Sequence, residues 1–398
     1  MAARELRRMR AGNMTLRRGL FLAHRYAGLG IALFLMVAAV TGTLLTFRDR
    51  ADAMLNPGLF RVSAGPVRPA PELVARVLAD HPTWRVVRFA LQPHSGEALR
   101  AVMVRTPDAA PDDVFIDPLD GGVVGTRSRQ AGLDRAHAMQ LMYDLHATLA
   151  LGTAGRLFMG VAAVCWLALT VAGLVITLPR RRPLLAAWQP AWRLNRQMLA
   201  RRPWPELHRV IGLWTIPFMI VMALTSVAMN FFDEAFAPVA TFLSPPRAGS
   251  PFADDAPPPA IHAGPLLGYA AAEAIARTWA AHVHPDMLPI ALTDDPARDL
   301  YGVSFTPGGT ALYTGFGRIT CHIDRHDGHI AWIDDPHLDG AGTLAIRALY
   351  PLHSGQVAGW PTMGCVLAIG IATGFMIVSG VLPWLRRQCR PARSDRRA

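Results

Sequence analysis

The chain has 398 residues, 52% of them hydrophobic and only 17% charged, with a formal net charge of +11. Such a length leaves room for two or three soluble domains or for one membrane protein with extramembrane parts, and the clustering of the apolar residues decides for the second. The positive charge could suggest nucleic-acid binding, but it sits in segments that flank the apolar stretches, where retention and contact with anionic lipid account for it.

A basic leader, residues 1–19, precedes the first span at 20–50, whose uncharged part runs from Tyr26 to Phe47. That run exceeds the apolar core of a secretory signal, so the segment is expected to stay as an anchor. Residues 51–130 form a first outer module: a Pro-rich linker from Asn56 to Pro71, a helical run to Asp80, and strands near Val86 to Leu91 and Ala101 to Arg105. An outer helix and the second span follow at 131–179, with Leu157 to Leu178 uncharged. A basic loop at 180–207 leads to the third span, 208–234, uncharged from Val210 to Phe232. The second outer module occupies 235–340, with a linker from Ser244 to Pro265, a helical run from Leu267 to Ala281, and strands near Ile290 to Leu292 and Leu300 to Phe305. A turn and the fourth span follow at 341–387, which contains the uncharged stretch from Ala348 to Leu385, and residues 388–398 are a tail. Each apolar stretch reaches the roughly 20 residues a helix needs to cross the hydrocarbon. Without water to bond backbone groups, each must be helical.

The leader with Arg25, the 180–207 loop with Arg209, and the tail with Arg386 and Arg387 together hold 21 arginines against Glu5, Glu206 and Asp395. This side is therefore cytoplasmic, both termini lie on it, and the modules face outward. Of the four cysteines, Cys165 and Cys365 fall in spans and Cys389 in the tail, so Cys321 stands alone outside and no disulfide framework is expected. No Cys-x-x-Cys-His signals covalent haem attachment.

The chain also repeats itself. His24-Arg25-Tyr26-Ala27-Gly28-Leu29 opens the first span and His208-Arg209-Val210-Ile211-Gly212-Leu213 opens the third. Tyr143-Asp144-Leu145-His146 precedes the second span and Tyr350-Pro351-Leu352-His353 precedes the fourth. The stretch from Phe115 to Gly122 answers that from His322 to His329, each with an Asp-Gly turn suited to a hairpin. Two halves of two spans each share one orientation and are related by an axis along the membrane normal.

Such an axis sets His24 against His208 near the inner surface and His146 against His353 near the outer one. Each pair could hold one haem iron between two neutral imidazoles, and two such cages make an electron path across the membrane. Taken singly, each histidine is more readily an interfacial anchor or a hydrogen-bonded packing residue, but four at matched positions point to function. One obstacle is distance: at about 1.5 Å per residue, His146 lies some 15 Å beyond Leu157 in a continuous helix. Gly152 and Gly155, like Gly359 and Pro361 in the other half, are expected to break it.

Arg25 and Arg209 could pair with haem propionates or serve as basic anchors, and Tyr143 and Tyr350 could line the outer haem or belong to an aromatic belt. His137 has no counterpart, Leu344 standing in its place, and is not counted as a ligand. His322, His326 and His329 could bind a metal or form a solvated turn; His282 and His284 lie in the same module.

The His-Arg-x-x-Gly-Leu openings, the Leu-His before the even-numbered spans and the two Asp-x-x-Asp-Gly segments together resemble the PepSY-associated transmembrane proteins, a group that includes inner-membrane ferric-siderophore reductases. The resemblance runs from His24 to Arg387. It implies a four-helix transmembrane bundle with two periplasmic α+β PepSY-like modules in a bacterial inner membrane. It also implies two non-covalent b-type haems on His24, His208, His146 and His353, and electron transfer outward to a periplasmic ferric chelate or siderophore. The donor would be a separate quinol or cytoplasmic reductase, since the chain has no room for a fused flavin domain. Two other readings stay open: a binding or regulatory PepSY protein with structural histidines, and a haem relay to another periplasmic acceptor.

Overall fold

A computed structural model describes residues 2–106, 110–130, 132–247, 264–309 and 315–388. Cys389, the tail arginines from Arg390 onward and most of the second linker (248–263) lie outside the described residues, as do the side chains of residues 1–15.

Thirteen helices are present among the described residues: α1 Ala2–Leu45, α2 Arg48–Leu55, α3 Pro57–Phe60, α4 Ala70–Asp80, α5 Ala138–Thr148, α6 Gly152–Thr177, α7 Leu184–Trp188, α8 Arg196–Arg201, α9 Pro203–Asn230, α10 Ala237–Leu243, α11 Tyr269–Val283, α12 Ala341–Ser354 and α13 Trp360–Gln388. Four carry apolar spans, at Leu16–Leu45, Gly152–Thr177, Pro203–Asn230 and Trp360–Arg386. The chain is a membrane protein. Leu33, Val40, Val161, Phe218 and Ile371 stay exposed on the outside of the bundle, where lipid, not water, is the expected solvent. α1 packs against α6 and α13, and α9 packs against the same two helices. α1 and α9 therefore stand across one diagonal of a four-helix square.

The long uncharged stretch from Ala348 to Leu385 is cut in two. Gly355, at φ +76°, closes α12, and Gly359, at φ +69°, precedes α13, whose N1/N2 region holds Pro361. The first half breaks at the corresponding place: Leu149, Ala150 and Gly152 all have positive φ between α5 and α6. A Cβ on Gly155 would collide with the Thr148 carbonyl, so only glycine lets α6 start this close to α5. The breaks fold α5 back against α1 and α6, and α12 against α9. His146 thus reaches the bundle without a continuous helix, which removes the 15 Å obstacle.

Eight described strands form one antiparallel sheet: β1 Arg85–Ala90, β2 Leu99–Val104, β3 Asp112–Ile116, β4 Val123–Ser128, β5 Met287–Asp295, β6 Leu300–Pro307, β7 Ile319–Asp324 and β8 Ile330–Asp334. Their order is β4-β3-β2-β1-β5-β6-β7-β8. The first four strands join the last four through β1 and β5, with Arg88 opposite Thr293, Phe89 opposite Leu292 and Ala90 opposite Ala291. Pairing removes two exposed ladders of N–H and C=O groups. α4 and α11 cover one face of the sheet, and Leu73, Val74, Val77, Ala101, Met103, Val114, Ala272, Ala276, Leu292 and Val303 share a single core. Side chains alternate between faces along a strand, so Arg100, Asp113 and Arg127 point the other way, toward α2 and the bundle. The hairpin turns close through glycine: Gly121 and Gly328 adopt φ +81° and +77°, following Asp117 and Asp324 side chains that cap the turn amides.

Candidate functional site

The bundle brings the four histidines together as two pairs. His24 on α1 and His208 on α9 have ring centroids 6.3 Å apart with planes at 87°. His146 on α5 and His353 on α12 have centroids 6.0 Å apart with planes at 56°. The pairs are separated along α1 by the 17 residues from His24 to Thr41, which touches His146, or about 26 Å of helix.

Every ring is held through Nδ1. The His24 Nδ1 lies 3.0 Å from the Leu169 carbonyl, and the His146 Nδ1 lies 3.0 Å from the Ala38 carbonyl and 3.2 Å from Thr41 Oγ1. The His208 Nδ1 sits 2.9 Å from Ser379 Oγ, and the His353 Nδ1 sits 3.0 Å from Thr225 Oγ1. Carbonyls only accept, and the Ser379 and Thr225 hydroxyls already donate to Met376 and to Val221 and Met222 carbonyls. Each Nδ1 must therefore carry the proton, which leaves the lone pair on Nε2. Among the described residues none of the four Nε2 atoms has a hydrogen-bond partner. An acceptor on one ring nitrogen and a free lone pair on the other is the arrangement of metal-binding histidines, where the acceptor orients the ring and raises its basicity.

The spacing fits a metal between the rings. A metal–imidazole bond of about 2 Å on each side, with about 1 Å from each nitrogen to its ring centre, spans roughly 6 Å. Two of the rings pack against glycine more closely than a side chain there would comfortably allow, and a third meets one at ordinary contact distance. A Cβ on Gly173 would come within 3.2 Å of His24 Cε1, one on Gly380 within 3.6 Å of His208 Cε1, and one on Gly42 within 2.7 Å of His146 Cε1.

These partners left a trace in the sequence that reading for histidines alone passes over. Thr41 follows His24 by 17 residues and Thr225 follows His208 by 17; Gly173 follows His146 by 27 and Gly380 follows His353 by 27.

Other candidates separate from the pairs. Arg209 is engaged by Glu206 at 2.5 Å and by the carbonyls of Ala191 and Arg193, so it clamps the 180–207 loop. Arg25 lies over the ring of its neighbour Tyr26. Tyr143 and Tyr350 stay about half exposed at the rim, Tyr143 beneath Arg48 and Tyr350 hydrogen-bonded by Gln356. His137 is engaged at both nitrogens, by Asp134 and the Ser128 carbonyl. His322, His326 and His329 do not converge: His322 stacks on Trp332, His326 pairs with Asp299 and His329 with Asp327. Donor atoms of Asp324, Asp327 and His329 do lie within 4.8 Å of one another. His282 bonds the Thr278 carbonyl, while His284 stands 4.0 Å from Asp335. Cys321 is buried in β7, which pushes its thiol up to about 12; Cys165 is half-buried and Cys365 exposed.

The profile of the PepSY-associated TM region matches residues 21–387. A Pseudomonas aeruginosa protein named only as uncharacterized is 25% identical over 267 residues, which cover 63% of this chain and 64% of the relative's length. Four apolar helices, an antiparallel α+β part and a match over nearly the whole chain agree: the chain belongs to the PepSY-associated transmembrane family.

Proposed function

We propose that this chain is a di-haem b protein of a bacterial inner membrane that passes electrons outward to a periplasmic ferric chelate. One observation carries this reading: two histidine pairs at 6.3 and 6.0 Å, with every Nδ1 spent on a protein acceptor and every Nε2 free. His24 and His208 would hold one haem and His146 and His353 the other. When bound, haem iron supplies one-electron redox chemistry at each depth. Thr41, Thr225, Ser379 and the Leu169 and Ala38 carbonyls orient the rings, and Gly42 and Gly173 give the His146 and His24 rings room to pack against the neighbouring helices.

The chain is read as a tandem repeat of two spans and one PepSY-like module. The matched 17- and 27-residue separations support this, as does a sheet whose strand order is the same from either edge. The arginines beside His24 and His208 put that end in the cytoplasm and the sheet in the periplasm. The donor is then a separate quinol or cytoplasmic reductase.

The test is a dithionite-reduced minus oxidised optical spectrum of detergent-purified protein and of the His24→Ala and His146→Ala variants. Each variant is expected to lose about half of the b-type signal, because each removes one ligand from one of two equivalent pairs. Well-folded wild type without haem would overturn the reading in favour of a binding or regulatory PepSY protein.

A further inference from the structure

The face of the sheet turned toward the bundle is strongly cationic in one half only. Arg48, Arg100, Arg127 and Arg129 line a cavity of about 30 Å³ together with Asp52, Asp113, His137 and Gln140. That is space for one small polar group. Arg127 is committed, gripping Asp52 through both nitrogens at 2.7 and 2.9 Å and reaching Asp113 at 3.1 Å. Arg100 meets Asp113 at 2.9 Å, whereas Arg129 comes only to 4.0 Å of it. Arg48 has no acid partner among the described residues; it bonds Gln140 at 3.2 Å and lies over Tyr143. Two aspartates thus face four lining arginines, and the His137 ring is taken by Asp134. Arg88 adds a fifth cation. Its guanidinium is held below its ordinary value by burial and then by Arg129 and Arg100, with Asp113 opposing. The corresponding face of β6 and β7 carries Gly302, Ser304, Thr320 and His322 instead, with Ser304 and Thr320 bonded to each other.

We propose that this cavity is a carboxylate-binding site that takes an acidic arm of the ferric chelate. The carboxylate site stands on the cavity alone, whereas its assignment to a ferric chelate rests on the electron-transfer reading. Planar guanidinium forks match the two oxygens of a carboxylate, and the surplus of cations favours an anion. The position suits an electron acceptor. Gln140 lies on the same helix as His146, six residues and about 9 Å before it, and Arg48 directly follows the first span. A chelate anchored here lies beside the outer histidine pair.

The test is calorimetric titration of the full-length wild type and of the Arg48→Gln and Arg129→Gln variants with gallium(III) citrate. Gallium does not accept an electron, so the result is independent of any failure to transfer one. Both variants replace side chains without a close acid partner, and retention of the wild-type melting temperature identifies folded samples. Saturable binding to wild type, weakened at least about 10-fold in each folded variant, supports the site. Metal-free citrate binding as tightly as the gallium complex keeps a carboxylate site but overturns its assignment to the chelate. No binding to wild type, or unchanged binding in both variants, overturns the proposal.

Discussion

Thr225 illustrates how much one hydroxyl can decide. It is 5% exposed and, with its own hydrogen spent on span carbonyls, can only accept from His353. Thr225→Val keeps the shape and removes the acceptor, leaving a buried N–H unpaired at a cost of about 1–3 kcal/mol. Loss of such a partner typically weakens metal retention by about 10–100-fold. On the proposed di-haem reading, haem is expected to leave the His146–His353 pair of the Thr225→Val protein on dilution while the His24–His208 pair stays loaded, and Thr225→Ser is expected to behave as wild type. Stopped dilution into apomyoglobin, followed by absorbance, reads both. His146 has a carbonyl as well as Thr41 on its Nδ1, so Thr41→Val should have the smaller effect.

Among the elements, the breaks before the second and fourth spans set the depth of the His146–His353 pair. Gly355 combines φ +76° with a hypothetical Cβ only 2.6 Å from the Thr362 carbonyl, so Gly355→Ala carries both left-handed strain and a backbone clash. Strain alone is worth about 1–2 kcal/mol, and the clash adds to it. A lower melting temperature in detergent than that of Gly364→Ala is expected, since nothing lies within 4 Å of a Cβ there. β7 carries a different dependence, on pH. Burial, with Arg298 adding and Asp295 opposing, pushes His322 down to about 4 from its ordinary 6.5. Protons then bind the unfolded ring before the folded one, so the stability contributed by neutral His322 is full above about pH 6.5 and is lost as pH falls toward 4. Melting curves between pH 7 and 4 should fall less steeply for His322→Phe, which keeps an aromatic partner for Trp332.

At the scale of the molecule, the histidine pairs and the sheet each draw on both halves of the chain. Each histidine pair takes one ring from either side of the 180–207 loop, and the sheet joins through three residue pairs of β1 and β5, extended by the Leu91 N–H to the Ile290 carbonyl. A second tie is the Arg156 guanidinium, from α6, on Glu234 just after the third span. On the proposed di-haem reading, residues 1–194 and 195–398 made as separate chains should each carry no haem, whereas co-expressed they should copurify and regain it. Haem in either fragment alone would show that the pairs do not require both halves.

Four spans and the pairing of the four histidines could be read without coordinates. Lipid demands long uncharged runs, and the matched motifs around His24 and His208 and around His146 and His353 set these residues at like places along their helices. The turns were legible too, because Asp-Gly and the glycines before α6 and α13 answer local backbone needs. Tertiary structure alone decided the β1–β5 seam, the hydroxyls and carbonyls that orient each ring, and the convergence of Arg48, Arg100, Arg127 and Arg129 on one cavity. These join residues tens to hundreds of positions apart, where no periodicity or local propensity operates. Only packing of the bundle against the sheet determines which polar groups must meet.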